Sequence, residues 1–253
     1  MLLNGSKYIM ELKEDHHHYD NYKTSTISRL DGFYGEVDNR LNEMVAQYVY
    51  GKAVLDVGCG FGPLVECLRN HNFNVVGIDM LGDFIKAGKA RFPKADIRHV
   101  HTTDLDFPDK SFDTLVLKDT IHHIYGESDI NFFLKEARRI CKKRIIILDP
   151  NPTLILKLSR MLIKHVDPTC TSAQAERALH QNGYQVIHKE FSEILAFPLS
   201  GGYVGKPLIN KGAWGNIVLT LDRFLSQVLD KVGLARFICW RYLIVADIVP
   251  ESN

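Results

Sequence analysis

Short apolar blocks alternate with helical periods through the middle of the chain. Ala53–Val57 is apolar apart from Asp56 and runs into Gly58, Gly60 and Gly62. An apolar run that ends in a glycine-rich turn predicts a buried parallel strand entering a tight loop. Pro63–Asn70 predicts a helix, since proline suits a first turn. Further strands are predicted at Asn74–Ile78, Asp96–His101, Phe112–Leu117, Arg144–Asp149, Tyr184–Phe191 and Ile238–Val249. Helices are predicted between them, at Gly82–Arg91, at 128–141 with Ile130, Phe133, Leu134, Ala137 and Ile140 on one face, and at 171–183. Strands alternating with helices predict an α/β domain built on a parallel sheet.

Three stretches fall outside this alternation. Val37, Leu41, Met44, Val45, Tyr48 and Val49 predict a helix ahead of the first strand. Residues 153–165 are amphipathic, with Leu154, Ile155, Leu158, Met161 and Leu162 opposite Lys157, Arg160 and Lys164. Residues 192–236 combine a Gly/Pro-rich stretch with a second amphipathic helix, whose stripe is Val218, Leu221, Leu225, Val228 and Val232. Each amphipathic segment suits a substrate lid, a covering for the fold or, for 153–165, a basic membrane-surface helix. The first 30 residues are polar and aperiodic, and His16, His17 and His18 are expected in a solvated arm.

Composition narrows the class. A chain of 253 residues with 45% hydrophobic residues accommodates one α/β domain with additions. A formal net charge of +1 gives no electrostatic case for nucleic acid. Five scattered cysteines without a C-x-x-C pair predict reduced thiols and a cytoplasmic setting, with neither a disulfide framework nor a zinc site. No run reaches the ~18 apolar residues of a membrane span.

The glycine loop is the candidate ligand cradle. Its glycines admit close backbone approach, and the free N–H groups of the following helix point at the ligand. Pro63 and Asp56 both argue against a pyrophosphate, the first by breaking the G-x-G-x-x-G spacing and the second by its charge. A carboxylate at the mouth of the strand instead suits a ligand with a cationic amino-acid end. Asp79, about 20 residues beyond the turn, is placed to accept from ribose hydroxyls.

The stretch VLDVGCGFG (54–62) resembles motif I of the class I S-adenosylmethionine (SAM)-dependent methyltransferases of small-molecule type. The likeness continues through Asp79, DLDFPDKSFD (104–113) and VLKDTIHHI (116–124). It implies a Rossmann-like sheet of seven strands, mostly parallel, with helices on both faces and an antiparallel last strand. It also implies a single domain: an arm and cap helix over 1–50, a SAM-binding core over 51–150, and inserts at 151–170 and 192–236 forming an acceptor lid. The resemblance puts SAM at Asp56, Gly58, Cys59, Gly60 and Gly62, its ribose at Asp79, and its adenine at Met80, Thr103, Asp104 and Leu105. Lys118 and Ile121 are implied contacts through backbone atoms, and no metal is implied.

Catalysis is less determined. His122 and His123 stand at the end of the fourth strand, where methyl group and acceptor are expected to meet. A histidine there serves as a general base or packs against the cofactor, and both readings stay open because methyl transfer relies heavily on positioning. Tyr34 and Tyr203 are candidates for the acceptor site, and Arg40 for a ligand carboxylate. The expected activity is methyl transfer from SAM to a small, partly hydrophobic acceptor, with S-adenosylhomocysteine as product. The alternatives are a SAM-binding module without chemistry and a nicotinamide-dependent oxidoreductase.

Overall fold

The computed structural model describes residues 24–101, 105–127, 129–162, 167–202 and 205–250. A 3-10 helix, Thr24–Asp31, leads into α1 (Phe33–Ala46). Then follow β1 (Ala53–Val57), α2 (Pro63–Asn70), β2 (Asn74–Asp79), α3 (Gly82–Arg91), β3 (Asp96–His99) and β4 (Phe112–Lys118). Next come α4 (Ile121–Glu127), α5 (Ile130–Ile140), β5 (Cys141–Pro150), α6 (Leu154–Leu162), α7 (Ser172–Gln181) and β6 (Tyr184–Ser192). The chain closes with α8 (Ala196–Leu199), α9 (Ala213–Lys231), α10 (Ala235–Ile238) and β7 (Arg241–Ile248).

The strands form one sheet in the order β3-β2-β1-β4-β5-β7-β6. β7 runs antiparallel to both neighbours, and the other strands are parallel to one another. This is the expected Rossmann-like architecture. The order reverses between β1 and β4, so connections leave that point in opposite directions and open a crevice at the carboxyl edge.

Strand alternation divides the core into two faces. Leu55, Val57, Leu115, Leu117, Ile145 and Ile147 pack against Phe133 and Leu134 of α5 and Leu179 of α7. Val54, Val116, Ile146 and Leu148 pack against Leu41 and Val45 of α1 and Leu64 and Leu68 of α2. The near-continuous apolar character of the central strands follows from burial on both sides. Local signals hold where expected: Pro63 begins α2 after Gly62 at φ 81°, and Thr171 with Gln174 forms a capping box on α7. Asp113 accepts from the N–H groups of Lys52 and Ala53 and from Lys142, which hold its carboxyl down at about 2.

The second insert folds onto α1 and the end of β6. Phe33 and Val37 pack with Ala196, Val218 and Leu219. One carboxylate organises the contact. Asp222 Oδ1 accepts from the N–H groups of Ile194, Leu195 and Ala196 at 2.8, 2.5 and 2.9 Å. Its Oδ2 pairs with Arg40 at 2.5 Å, and Arg40 also reaches Glu193 at 2.6 Å and the Leu219 carbonyl at 3.0 Å. Burial pushes Glu193 up to about 7 against the pull of Arg40, because two buried carboxylates share one guanidinium. α9 therefore turns Asp222 and Ser226 inward, while Leu221, Leu225, Val228 and Val232 of the predicted stripe are exposed.

Removing the Asp222 carboxylate strands three backbone donors and leaves Arg40 with Glu193 as its one carboxylate partner among the described residues. Asp222→Ala should destabilise the fold by about 3–5 kcal/mol, the cost of breaking a buried ion pair, in urea melts. A loss below about 1 kcal/mol would mean that the insert is anchored by its apolar contacts alone.

Candidate active site

The cradle is built by hydrogen bonds that the glycines permit. The N–H groups of Gly58 and Cys59 both donate to the Ile78 carbonyl, at 2.8 and 2.9 Å, pinning the loop to the end of β2. Gly58 has φ 75°, and a Cβ there would lie 2.2 Å from Thr120 Oγ1, so the position requires glycine on both counts. Asp79 accepts from Gly60 N–H through Oδ2 and from Leu81 N–H through Oδ1, each at 2.8 Å. It thus staples the loop, and each oxygen keeps a lone pair for a ribose hydroxyl. Burial raises its pKa against the pull of those two N–H groups.

Asp56 is different. It is buried at the end of β1, and neither of its carboxylate oxygens has a hydrogen-bond partner. Burial, opposed by nearby Lys118, pushes it up to about 7. It lines a cavity with Gly58, Gly60, Phe61, Lys118 and Tyr34. α1 and the 3-10 helix before it form the cover: Leu30, Tyr34 and Asp38 line the same cavity, Asp38 pairs with Lys118 at 2.5 Å, and the Arg29 guanidinium lies 4.1 Å over the Tyr34 ring. Asp119, at φ 56°, closes the far wall and pairs with Arg241 of β7. A buried, unpartnered carboxylate beside a glycine loop fits an ammonium, which would restore the partner that burial removed.

The structure brings together Tyr34, Asp56, Gly58, Cys59, Gly60 and Lys118 around this cavity. Gly62 caps α2 and Asp79 is tied to Gly60. Cys59 is buried, and burial together with Asp56 and Asp79 holds its thiol well above the usual range. Met80 is partly buried, its carbonyl accepting from His99. Leu105 and Ile121 are buried in the core. Lys118 presents more than the expected backbone, since its side chain holds the cover down. Thr103, Asp104 and Tyr203 lie outside the described residues.

Arg40 and His122 are both held in ion pairs. Arg40 is not among the residues lining this cavity, and Glu193 and Asp222 share its guanidinium. His122, for which base and packing roles both stood open, is buried between carboxylates. Its Nδ1 lies 2.8 Å from Asp149 and its Nε2 3.5 Å from Asp167. Burial pulls its pKa down, but the two carboxylates outweigh burial and raise it to about 10. Burial raises the Asp149 carboxyl as well, so the pair holds one proton tightly between them through the neutral range. His123 lies against His122 with ring centroids 4.2 Å apart and planes tilted by 38°, and it is partly exposed. Ligand atoms of His122, His123 and Asp167 lie within 4.8 Å of one another, but Arg160 donates to Asp167 at 2.8 Å and supplies the positive charge there. Asp38 and Asp119 are site residues that the sequence left unmarked, because each lies outside the glycine motif and reaches the cavity only through the fold.

Residues 55–148 match the family described as "Methyltransferase domain". A protein of Mycolicibacterium smegmatis named a probable S-adenosylmethionine-dependent methyltransferase is 28% identical over 113 residues, 45% of this chain and 43% of that protein. The chain thus spans less than half the length of that relative. An Aspergillus nomiae protein named O-methyltransferase rstn1 is 26% identical over 175 residues, 63% of this chain and 72% of that protein. The solved structure of a SAM-dependent methyltransferase from Archaeoglobus fulgidus superposes with a TM-score of 0.62 at 20% identity, covering 84% of this chain and 93% of that one. That likeness is one of fold.

Two outcomes follow from the site's electrostatics. Asp56 must be ionised to pair with an ammonium, so S-adenosylhomocysteine affinity should fall as pH drops below about 7. Asp56→Asn should weaken binding by about 1.5–3 kcal/mol and flatten that pH dependence in calorimetric titrations. His122 contributes stability in full below pH 6.5 and loses it as pH rises toward about 10. Urea melts across that range should show a steeper decline for the wild type than for His122→Gln, which should start about 3 kcal/mol lower at neutral pH. Parallel declines would separate His122 from the ionic pair.

Proposed function

On the premise that the chain belongs to the class I SAM-dependent methyltransferases, we propose that it transfers the methyl group of SAM to a small acceptor with a hydrophobic part. The observation that supports this most strongly is Asp56, whose two buried oxygens await a cationic partner beside the glycine loop. SAM, when bound, supplies an electrophilic methyl group on a sulfonium. The chain's own work is to bind and orient. Asp56 holds the amino-acid end, Asp79 the ribose, and the Lys118–Asp38 pair keeps α1 over the cavity.

A hydrophobic acceptor accords with the apolar contact of Leu156, Phe197 and Trp240, which joins both inserts beside the carboxyl ends of β5 and β6. His123 is the residue assigned to the acceptor side. It is the more exposed of the two imidazoles, and its ring is held by His122 and Asp167. A cytoplasmic setting accords with five buried, unpaired thiols.

Titration with S-adenosylhomocysteine, SAM and NADH comes first, then transfer of labelled methyl groups into fractionated cell extract. The first two ligands should bind, NADH should not, and label should enter a solvent-extractable fraction. Tight binding with no transfer to any fraction would leave a SAM-binding module. His123→Ala should lower turnover about 100-fold, the low end of acid–base contributions, with S-adenosylhomocysteine affinity unchanged. Equal losses in both would make His123 a cofactor contact.

A further inference from the structure

α9 is built inside out. Its inward face carries Gly215, Asp222 and Ser226. Its outward face carries Trp214, Ile217, Leu221, Phe224, Val228 and Val232, all exposed, Trp214 at 74% and Phe224 at 61%. These positions repeat at three- and four-residue spacing, so they form one continuous apolar stripe along the helix. The buried carboxylate forces this orientation. Asp222 must face Arg40 and the three N–H groups beyond β6, and the apolar residues on the opposite side are left in water.

A second exposed apolar ridge lies on α6, formed by Leu154, Ile155, Leu158 and Met161. The two inserts are joined rather than independent. The Asn151 side chain, just before α6, donates to the carbonyls of Arg236 and Cys239 around α10. Phe237 is exposed on α10 between these ties. An exposed apolar surface on this scale marks an interaction site.

Charge identifies the occupant. Residues 150–162 and 205–240 together carry seven basic and two acidic residues, in a chain whose formal net charge is only +1. Of the acids, Asp222 is buried against Arg40, which leaves Asp230 as the exposed one. Lys157, Lys206, Lys211, Arg223, Lys231 and Arg236 are all exposed. Apolar ridges with a basic rim, on helices too short or too polar to cross a bilayer, match a surface that lies in an anionic membrane interface. A second copy of the chain fits less well, since a two-fold contact would set this basic rim against itself.

We propose that α6, α9 and α10 form a docking surface for anionic phospholipid bilayers. The surface is independent of how the Asp56 cavity is read. It is tested by co-sedimentation with vesicles of phosphatidylcholine alone and of phosphatidylcholine with phosphatidylglycerol. Trp214 fluorescence is the second readout, because the other tryptophan, Trp240, is buried. Binding to the anionic vesicles, a blue shift of the emission, and weakening by salt are expected. The double variant Leu221→Ser/Phe224→Ser alters exposed side chains and should keep its circular dichroism while losing about tenfold or more in binding. Arg223→Glu/Lys231→Glu should lose about tenfold on anionic vesicles, at roughly the worth of one tenfold step or less per basic residue. No sedimentation, equal binding to both vesicle types, or unchanged binding of the variants would overturn the proposal. So would a vesicle-free dimer in light scattering that Leu221→Ser/Phe224→Ser dissolves, which would assign the surface to a second copy.

Discussion

A carboxylate withdrawn from water must find a positive partner or give up its charge, and this constraint arranges the carboxyl edge of the sheet. Asp38 has Lys118, Asp79 has two backbone N–H groups and Asp149 has His122; Asp119, half-exposed, has Arg241. Glu193 and Asp222 divide Arg40 between them. Most of these pairings join elements distant in the chain, so the same bonds that satisfy the charges fix the cover, the glycine loop and the second insert. Asp56 stands apart, with both oxygens unbonded at the end of β1. Among the described residues, the network of partners thus stops at the carboxylate beside the glycine loop.

The same constraint shapes the outer surface. An amphipathic helix normally turns its apolar stripe to the core, because burial of apolar area outweighs what its polar face needs. α9 reverses this, since its polar face holds a carboxylate that terminates the backbone beyond β6. The structure keeps the buried ion pair and leaves the stripe exposed. The ionic anchoring of the insert and the apolar character of its outer face are therefore two consequences of one residue, Asp222.

Much of the fold was legible in advance where signals are local. The sheet strands, Pro63 in the first turn of α2 and the capping of α7 all depend on neighbours a few residues away. The glycine loop was legible for the same reason: Asp56, Gly58 and Gly60 lie within five residues of one strand–turn–helix unit, and Asp79 follows one crossover later. The pairing of Arg40 was not legible because Glu193 and Asp222 are 153 and 182 residues away. Nor was that of His122, which the fold sets between Asp149 and Asp167.

By itself the sequence determined the α/β alternation and the glycine loop with its flanking carboxylates, since each is written in short-range spacing and residue chemistry. It also determined that Ile217–Val232 is an amphipathic helix, observed at Ala213–Lys231. Only the tertiary structure decided which face of that helix meets the protein, which histidine is locked in an ion pair, and which carboxylate is left without a partner. Periodicity defines a stripe but not its direction, and a pKa depends on charges that lie close in space and far apart in the chain.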